Sequence, residues 1–219
     1  MKQYKAILFD FDYTLADSSE GIIASVNYAL EKLELPQASP RKIRSLIGLT
    51  LPETFAQFSS NASLAPLFTQ YFREKADEVM VDATHLYYGI YDLLDLMEGQ
   101  DIKLGIVSTK RSKTIRKILQ REGILKRFEV IIGGEDVRKQ KPAPEPLIKA
   151  MKALGTNGRN TLYVGDSRVD AQAAQRIRVD FIGVLTGNTP RETMDRYEHL
   201  EIVKDLQEVI EYFEIEVVA

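Results

Sequence analysis

Three oxygen-bearing side chains follow a short apolar segment near the start of the chain: Asp10, Asp12 and Thr14. Residues 6–9 are all apolar, which is typical of a short buried strand. Two carboxylates this close together repel each other unless a cation or a proton lies between them. A hard ion such as Mg²⁺ binds carboxylates together with substrate phosphate oxygens. The spacing therefore favours a magnesium site at a strand end, and the alternative is a solvated turn after an edge strand.

A second acidic pair, Asp166 and Asp170, follows another apolar segment, residues 161–164, and a glycine. The two aspartates are four residues apart, so they share one face of a helical turn. Carboxylates near a helix N-terminus also interact favourably with the helix dipole. We expect the two acidic pairs to converge on one ion. The alternative is a helix-capping Asp166 with a surface carboxylate one turn later.

Hydroxyls and a lysine supply the remaining candidate chemistry. Ser108 and Thr109 follow a predicted strand, where hydroxyls and backbone N–H groups can bind phosphate or simply cap a helix. Lys141 lies in a loop stiffened by Pro142 and Pro144, which lowers the entropy lost when a lysine binds an anion. A solvated loop lysine is the alternative there.

The elements that must position these residues alternate between strand and helix in most of the chain. The predicted strands are residues 6–9, 102–107, 130–132, 162–164 and 181–184. The predicted helices are residues 19–33, 64–80, 89–98, 112–121, 145–153, one from 168, and 204–213. Such alternation predicts an α/β fold with a doubly wound parallel sheet.

The long helical block after the first strand predicts an inserted second module. We assign residues 1–16 and 82–219 to the α/β core domain and residues 17–81 to a small helical domain. An insertion at that point can cover the carboxyl end of the first strand and exclude water, as lids do.

The composition limits the classes of function. The chain has 219 residues, 44% hydrophobic and 28% charged, with a net charge of −3 and no cysteine. Interspersed charges give no reason to expect a nucleic acid or a membrane as partner, and no obligatory protein partner is evident. Without cysteine there is no disulfide or thiolate chemistry, which fits a cytoplasmic location. No signal peptide or transmembrane segment is predicted.

The order of the motifs resembles the haloacid dehalogenase (HAD) superfamily over essentially the whole chain. The matching segments are residues 10–14, Ser108 or Thr109, Lys141-Pro142 and residues 165–170. Within it, the chain looks most like the phosphoglycolate phosphatase branch, whose lysine loop has the pattern Lys-Pro-x-Pro. The resemblance implies a Rossmann-like core with a cap domain. It also implies a Mg²⁺-dependent phosphatase that hydrolyses a small phosphorylated metabolite through an aspartyl phosphate.

The resemblance also implies a role for each matching residue. Asp10 would be the nucleophile, Asp12 the general acid and then base, and Lys141 the catalytic cation. The implied substrate-binding residues are Thr14, Ser108, Thr109 and Lys141. The implied metal-binding residues are Asp10, Asp12 through its main chain, Asp166, and Asp170 as a support for that shell.

Two positions depart from the family pattern. Tyr13 stands where glycine is usual, which puts the usual flexibility of that loop in doubt. Ile177-Arg178 stands where the family ends its helix in Ala-Gly, and a glycine there would relieve left-handed strain. Neither change removes a catalytic group.

Other functions remain open on the sequence. A phosphosugar mutase (β-phosphoglucomutase-like) would share every core motif, and a phosphonatase would need a cap lysine, for which Lys32, Lys42 and Lys75 are available. A non-enzymatic phospho-accepting receiver module is a remote alternative, because such modules lack the helical insertion. The substrate and the oligomeric state are not predicted. Arg41, Arg44 and Thr50 are candidates for contacting the leaving group, or an exposed helix face.

Overall fold

The computed structural model describes residues 4–218, which form two compact units. The larger unit combines the described chain up to Ala16 with the chain from Leu86 onward, and the smaller unit is Asp17–His85. The smaller unit begins where the insertion is predicted and ends beyond the predicted residue 81. Among the described residues, no helix combines the length and the apolar character needed to cross a bilayer.

Eight strands occur in the described chain, and six of them build the sheet of the larger unit. The strands are β1 (Ala6–Phe9), β2 (Ala16–Asp17), β3 (His85–Leu86), β4 (Lys103–Val107), β5 (Val130–Ile132), β6 (Thr161–Gly165), β7 (Asp180–Val184) and β8 (Glu201–Val203). The sheet order is β5-β4-β1-β6-β7-β8, with every neighbouring pair parallel. The strands β2 and β3 pair with each other where the chain leaves and re-enters the larger unit.

The helices are α1 (Ser19–Lys32), α2 (Pro40–Arg44), α3 (Leu51–Phe55), α4 (Ala65–Val79), α5 (Ile90–Gly99), α6 (Ser112–Arg121), α7 (Glu145–Leu154), α8 (Arg168–Arg176), α9 (Arg191–Met194) and α10 (Leu206–Val218). They alternate with the strands from β3 onward, whereas α1 to α4 follow one another between β2 and β3. The predicted α/β class with a doubly wound parallel sheet is confirmed.

The central strand β1 is apolar along its whole length because both its neighbours and the helices cover it. Ala6 and Leu8 pack with Leu147 of α7 and Ala174 of α8 in one buried cluster. Burying one such leucine contributes about 2 kcal/mol. A strand covered in this way has no polar face, which explains why it reads as a continuous apolar run.

The smaller unit has a core of its own. Val26 and Leu30 of α1 pack with Phe55 and Phe68, whose ring centroids are 5.0 Å apart. Helix α1 begins at Ser19, whose backbone N–H donates to the Asp17 carboxylate at 2.7 Å. The helical character predicted for this part of the chain therefore has a hydrophobic cluster to stabilise it.

Candidate active site

The carboxyl ends of β1, β4 and β6 meet at one edge of the sheet. Strand β1 lies between the other two, and Phe9 is opposite Val164 of β6. The Asp10 backbone N–H continues this pairing by donating to the Val164 carbonyl at 2.9 Å. Ser108 and Asp166 follow β4 and β6 at nearly the same level. This is where the strand order reverses around β1, which is the usual ligand site of such sheets.

Asp170 is fixed by the start of α8. Its Oδ2 accepts the Ser167 backbone N–H at 3.1 Å and the Ser167 hydroxyl, while the Asp170 N–H donates to the Ser167 Oγ at 3.4 Å. This reciprocal capping satisfies two backbone donors of the helix start. Gly165 leaves the room for it, since a Cβ there would lie 2.7 Å from the Asp170 Cβ.

Three buried carboxylates form the centre of the site. One oxygen from each of Asp10, Asp166 and Asp170 lies within 4.8 Å of the others. Burial raises the pKa of Asp10 from 3.8 to about 6, although the Lys141 charge opposes the shift. Burial and then the Asp170 charge raise the pKa of Asp166 well above its usual value. The cluster thus carries more negative charge than one lysine balances.

This donor set fits Mg²⁺, because all the donors are carboxylate oxygens and the charge imbalance calls for a cation. Asp10 and Asp166 are the residues best placed to hold the ion. Both oxygens of Asp170 accept hydrogen bonds from the protein, so its observed contacts suit a supporting role. The carboxylate of Asp12 lies outside the cluster, and its predicted main-chain contact with a metal stays a prediction.

Lys141 is the cation of the site. Its Nζ lies 3.0 Å from Asp10 Oδ1 and 2.6 Å from Asp170 Oδ1, and it also contacts the Val107 carbonyl at 3.0 Å and the Tyr163 hydroxyl at 2.9 Å. Burial alone would lower the pKa of this lysine, but the two aspartates outweigh it and the pKa is raised. The side chain is therefore an ammonium group held against the predicted nucleophile.

The loop that carries this lysine is held on both sides. The Glu145 carboxylate accepts the backbone N–H groups of Arg138 and Lys139 at 2.8 and 3.0 Å. On the other side, the Arg176 guanidinium donates to the Pro142 carbonyl at 2.6 Å. Lys141 is thus buried, and the alternative of a solvated loop lysine is wrong.

Asp12 pairs with a lysine that is not among the predicted site residues. Lys110 Nζ lies 2.9 and 3.3 Å from the two carboxylate oxygens of Asp12, and the lysine side chain is only 7% exposed. It also lies 5.9 Å from the centre of the Phe11 ring. In the sequence, the only sign that Lys110 belongs to the site was its position directly after Ser108 and Thr109.

The predicted hydroxyl groups differ in their surroundings. Thr14 is fully buried and its hydroxyl donates to Asp166 Oδ1 at 3.3 Å, so it supports a carboxylate of the cluster. The Ser108 hydroxyl bonds to Asp10. Thr109 is partly exposed at the end of β4. Their contacts with a substrate stay predictions.

Both departures from the family pattern adopt a left-handed backbone. Tyr13 has φ 63° and Arg178 has φ 53°. The Tyr13 backbone N–H donates to the Ala16 carbonyl at 2.7 Å and its carbonyl accepts the Thr186 hydroxyl. The turn that glycine usually allows is therefore formed here by a tyrosine that is 6% exposed.

The candidate leaving-group contacts lie in the smaller unit. Arg41 and Arg44 are exposed on α2. Thr50 caps α3 in a reciprocal arrangement with Glu53, in which the threonine N–H and hydroxyl donate to the carboxylate at 2.9 and 2.7 Å. Thr50 thus has a local structural task, and a role of these residues toward a substrate stays a prediction.

Sequence comparison places the chain among known proteins. The family described as haloacid dehalogenase-like hydrolase matches residues 7–184. A phosphoglycolate phosphatase from Shigella boydii serotype 4 is 31% identical over 218 residues, which cover 87% of this chain and 85% of the relative. The phosphoglycolate phosphatase of Escherichia coli strain K12 is 30% identical over the same shares of both chains.

Solved structures agree with this family. A haloacid dehalogenase-like hydrolase from Bacteroides fragilis has a TM-score of 0.91 and 36% identity, covering 94% of this chain and all of that one. A predicted phosphoglycolate phosphatase from Haemophilus somnus has a TM-score of 0.85 and 26% identity, covering 97% and 99%. Together with the buried aspartates at the sheet edge, these matches confirm the predicted family and enzyme class: the chain belongs to the haloacid dehalogenase-like hydrolases and groups there with the phosphatases.

Proposed function

We propose that this chain is a Mg²⁺-dependent phosphatase that hydrolyses a small phosphorylated metabolite through a phosphorylated Asp10. The observation that carries the proposal is the buried cluster of three aspartates with Lys141 at the switch point of the sheet. A carboxylate can attack a phosphate only when their mutual repulsion is reduced. The lysine supplies part of that compensation, and the excess negative charge of the cluster calls for a metal ion to supply the rest.

Asp10 is the proposed nucleophile. When bound, Mg²⁺ would screen the negative charge that the nucleophile and the phosphate share. An Asp10 oxygen forms a bond to phosphorus while the ester P–O bond breaks, and Asp12 gives a proton to the leaving oxygen. Asp12 then takes a proton from water, which attacks the same phosphorus and frees Asp10 and inorganic phosphate. Splitting the displacement in two steps lowers the barrier that each step must cross.

Phosphoglycolate is the first substrate to test. The curated relatives named above are phosphoglycolate phosphatases, and they match this chain over most of its length. The sequence identity of about one third leaves the substrate of this chain a proposal. A panel of other small phosphomonoesters, including sugar phosphates, belongs in the same assay.

The decisive experiment is release of p-nitrophenol from p-nitrophenyl phosphate with and without Mg²⁺. We expect Asp10→Asn to lower the rate by at least about 1,000-fold, because the amide cannot act as the nucleophile. The exposed Asp195→Asn is the matched control and should retain the wild-type rate. Thermal unfolding should show that Asp10→Asn is folded. Substantial Mg²⁺-dependent turnover by Asp10→Asn would overturn the assignment of the nucleophile.

The phosphonatase alternative gains no support from the cap lysines. Lys75 pairs with Glu78 at 2.8 Å, Lys32 lies over the Tyr28 ring at 5.3 Å, and Lys42 is exposed. A lysine that forms a Schiff base is usually desolvated so that its amine is uncharged. The mutase alternative is tested by adding a sugar phosphate and measuring an isomer instead of free phosphate.

A further inference from the structure

Tyr163 takes part in the buried network around Lys141, although no sequence motif assigned it a role. This tyrosine lies on β6 and is fully buried. Its hydroxyl is 2.9 Å from Lys141 Nζ, 2.7 Å from Asp170 Oδ1 and 3.1 Å from the Val107 carbonyl. The hydroxyl therefore touches two of the three protein acceptors that Lys141 touches, Asp170 and the Val107 carbonyl.

A count of hydrogens indicates what the hydroxyl does. The Lys141 ammonium has three hydrogens, and three protein acceptors besides the tyrosine lie within reach: Asp10, Asp170 and the Val107 carbonyl. If Lys141 were the only donor to these three acceptors, all three of its hydrogens would be used. The Tyr163 hydroxyl brings a fourth hydrogen, which can go to Asp170 or to the Val107 carbonyl.

We propose that Tyr163 is a positioning residue that frees one hydrogen of Lys141 for the phosphoryl group. When the lysine turns toward a phosphoryl oxygen the N–H that served Asp170 or the Val107 carbonyl, the tyrosine donates to that acceptor instead. No buried acceptor then loses its partner, which would otherwise cost free energy at the moment of reaction. The inference rests on the proposed function, in which Lys141 compensates the charge of the transferring phosphate.

The substitution Tyr163→Phe tests the hydroxyl alone. Phenylalanine keeps the aromatic ring, whose centroid lies 6.1 Å from that of Phe181. A matched control is Tyr197→Phe, because that hydroxyl belongs to a partly buried tyrosine and accepts one hydrogen bond, from Gln172 at 3.1 Å, away from the aspartate cluster. The four measurements are kcat and KM for p-nitrophenyl phosphate, the Mg²⁺ concentration for half-maximal activity, the affinity for inorganic phosphate by calorimetry, and thermal unfolding.

We expect Tyr163→Phe to lower kcat roughly 10-fold, the size expected for one hydrogen bond to a charged group. The affinity for inorganic phosphate should fall as well, whereas the KM, the Mg²⁺ requirement and the unfolding temperature should stay close to those of Tyr197→Phe. A kcat and a phosphate affinity equal to the wild type would overturn the inference. A loss of kcat that comes with a raised Mg²⁺ requirement or lowered unfolding temperature would also overturn it, since the tyrosine would then act on the fold or on Asp170.

The same experiment separates this inference from the proposed function. If wild-type protein releases no p-nitrophenol, or if Asp10→Asn remains active, the proposed reaction fails. Calorimetry with inorganic phosphate still decides the role of Tyr163 in that case. Weaker phosphate binding by Tyr163→Phe supports the role, and unchanged binding contradicts it.

Discussion

Charge balance at the aspartate cluster governs the behaviour of this site at the level of single residues. Asp10, Asp166 and Asp170 are buried close together, and Lys141 compensates only part of their charge. Protons and Mg²⁺ therefore compete for the same carboxylates. A proton neutralises one oxygen, whereas a divalent ion can neutralise two carboxylates at once.

This competition predicts how stability depends on pH. The pKa of Asp10 is raised to about 6 in the folded chain from 3.8, so the folded state binds more protons between these values. The free energy of unfolding of the metal-free protein should therefore fall as pH rises through this window, by on the order of 3 kcal/mol. Conversely, stabilisation by Mg²⁺ should be larger at pH 7.5 than at pH 5, since the ion needs ionised carboxylates. Thermal unfolding at both pH values, with and without Mg²⁺, measures both effects.

The control for this prediction is Asp10→Asn, which cannot titrate. Its unfolding temperature should lack the part of the pH dependence that Asp10 causes, and the difference from wild type isolates that part from all other groups. A wild-type protein whose Mg²⁺ stabilisation is the same at both pH values would contradict the competition.

At the level of elements, the turns that end β1 and α8 use side chains where glycine is the easier choice. Arg178, two residues beyond the end of α8, has φ 53°, and the N–H groups of Arg178 and Val179 donate back to the carbonyls of Gln175 and Ala174 at 3.2 and 3.1 Å. This is the hydrogen-bond pattern of a helix end closed by a left-handed residue. The departure from the family pattern therefore preserves the geometry and adds backbone strain.

Arg178→Gly should accordingly stabilise the protein. A left-handed conformation costs a non-glycine residue about 1–2 kcal/mol, and the larger entropy of glycine in the unfolded chain offsets part of the gain. We expect the free energy of unfolding to rise by about 0.5–1 kcal/mol in urea denaturation. Gln175→Gly, in the last turn of the same helix, is a control with the opposite expected effect and should lower the free energy of unfolding by about 1 kcal/mol. Equal effects of the two substitutions would refute the strain at residue 178.

The elements were predictable from the sequence where their patterns are local. Strand β1 and helix α6 have the predicted bounds, because an apolar run and a helical repeat each reflect burial of that segment. Strand β8 was not predicted, since a three-residue strand at the sheet edge contributes too short a pattern. The start of α10 lies at Leu206 instead of the predicted 204.

The site was predictable where a motif carries its own spacing. Asp10, Asp166 and Asp170 come together as expected, because parallel strands deliver their ends to one edge. Lys110 and Tyr163 were missed as site residues. Each makes its decisive contact with a residue on another element. For Lys110 the only local sign was its position after Ser108 and Thr109, and for Tyr163 the sequence contained no sign of the contact.

The chain passes from the larger to the smaller unit at β2 and returns at β3, and these two crossing points are paired. The strands β2 and β3 pair at these crossings, and the Tyr87 N–H donates to the Leu15 carbonyl at 3.0 Å. Each unit has a hydrophobic cluster of its own. The two chain segments of the larger unit are thus held together by their own pairing and do not depend on the inserted residues that link them. The cap function of the smaller unit and the cytoplasmic location stay predictions.

Replacing residues 18–84 by a short Gly-Ser linker should leave the larger unit folded. The linker has only to join paired strands, and a short flexible loop closes at little entropic cost. We expect far-UV circular dichroism of a mixed α/β protein and one cooperative unfolding transition; the shortened chain keeps Asp10, Asp166 and Asp170. A shortened chain without a cooperative transition would show that the larger unit depends on the smaller one.

The central position of β1 has a consequence for synthesis on the ribosome. Ala6 pairs with Lys103 and Thr161, so neither neighbour of this strand exists until long after it has left the exit tunnel. The contacts of Asp17–His85 are local by comparison and can form in the meantime. During that interval an apolar strand waits without partners, next to a helical unit that is already complete. The strand that leads to Asp10 is thus made before either of its partner strands, and its pairing on both sides is completed only after β6 has been made.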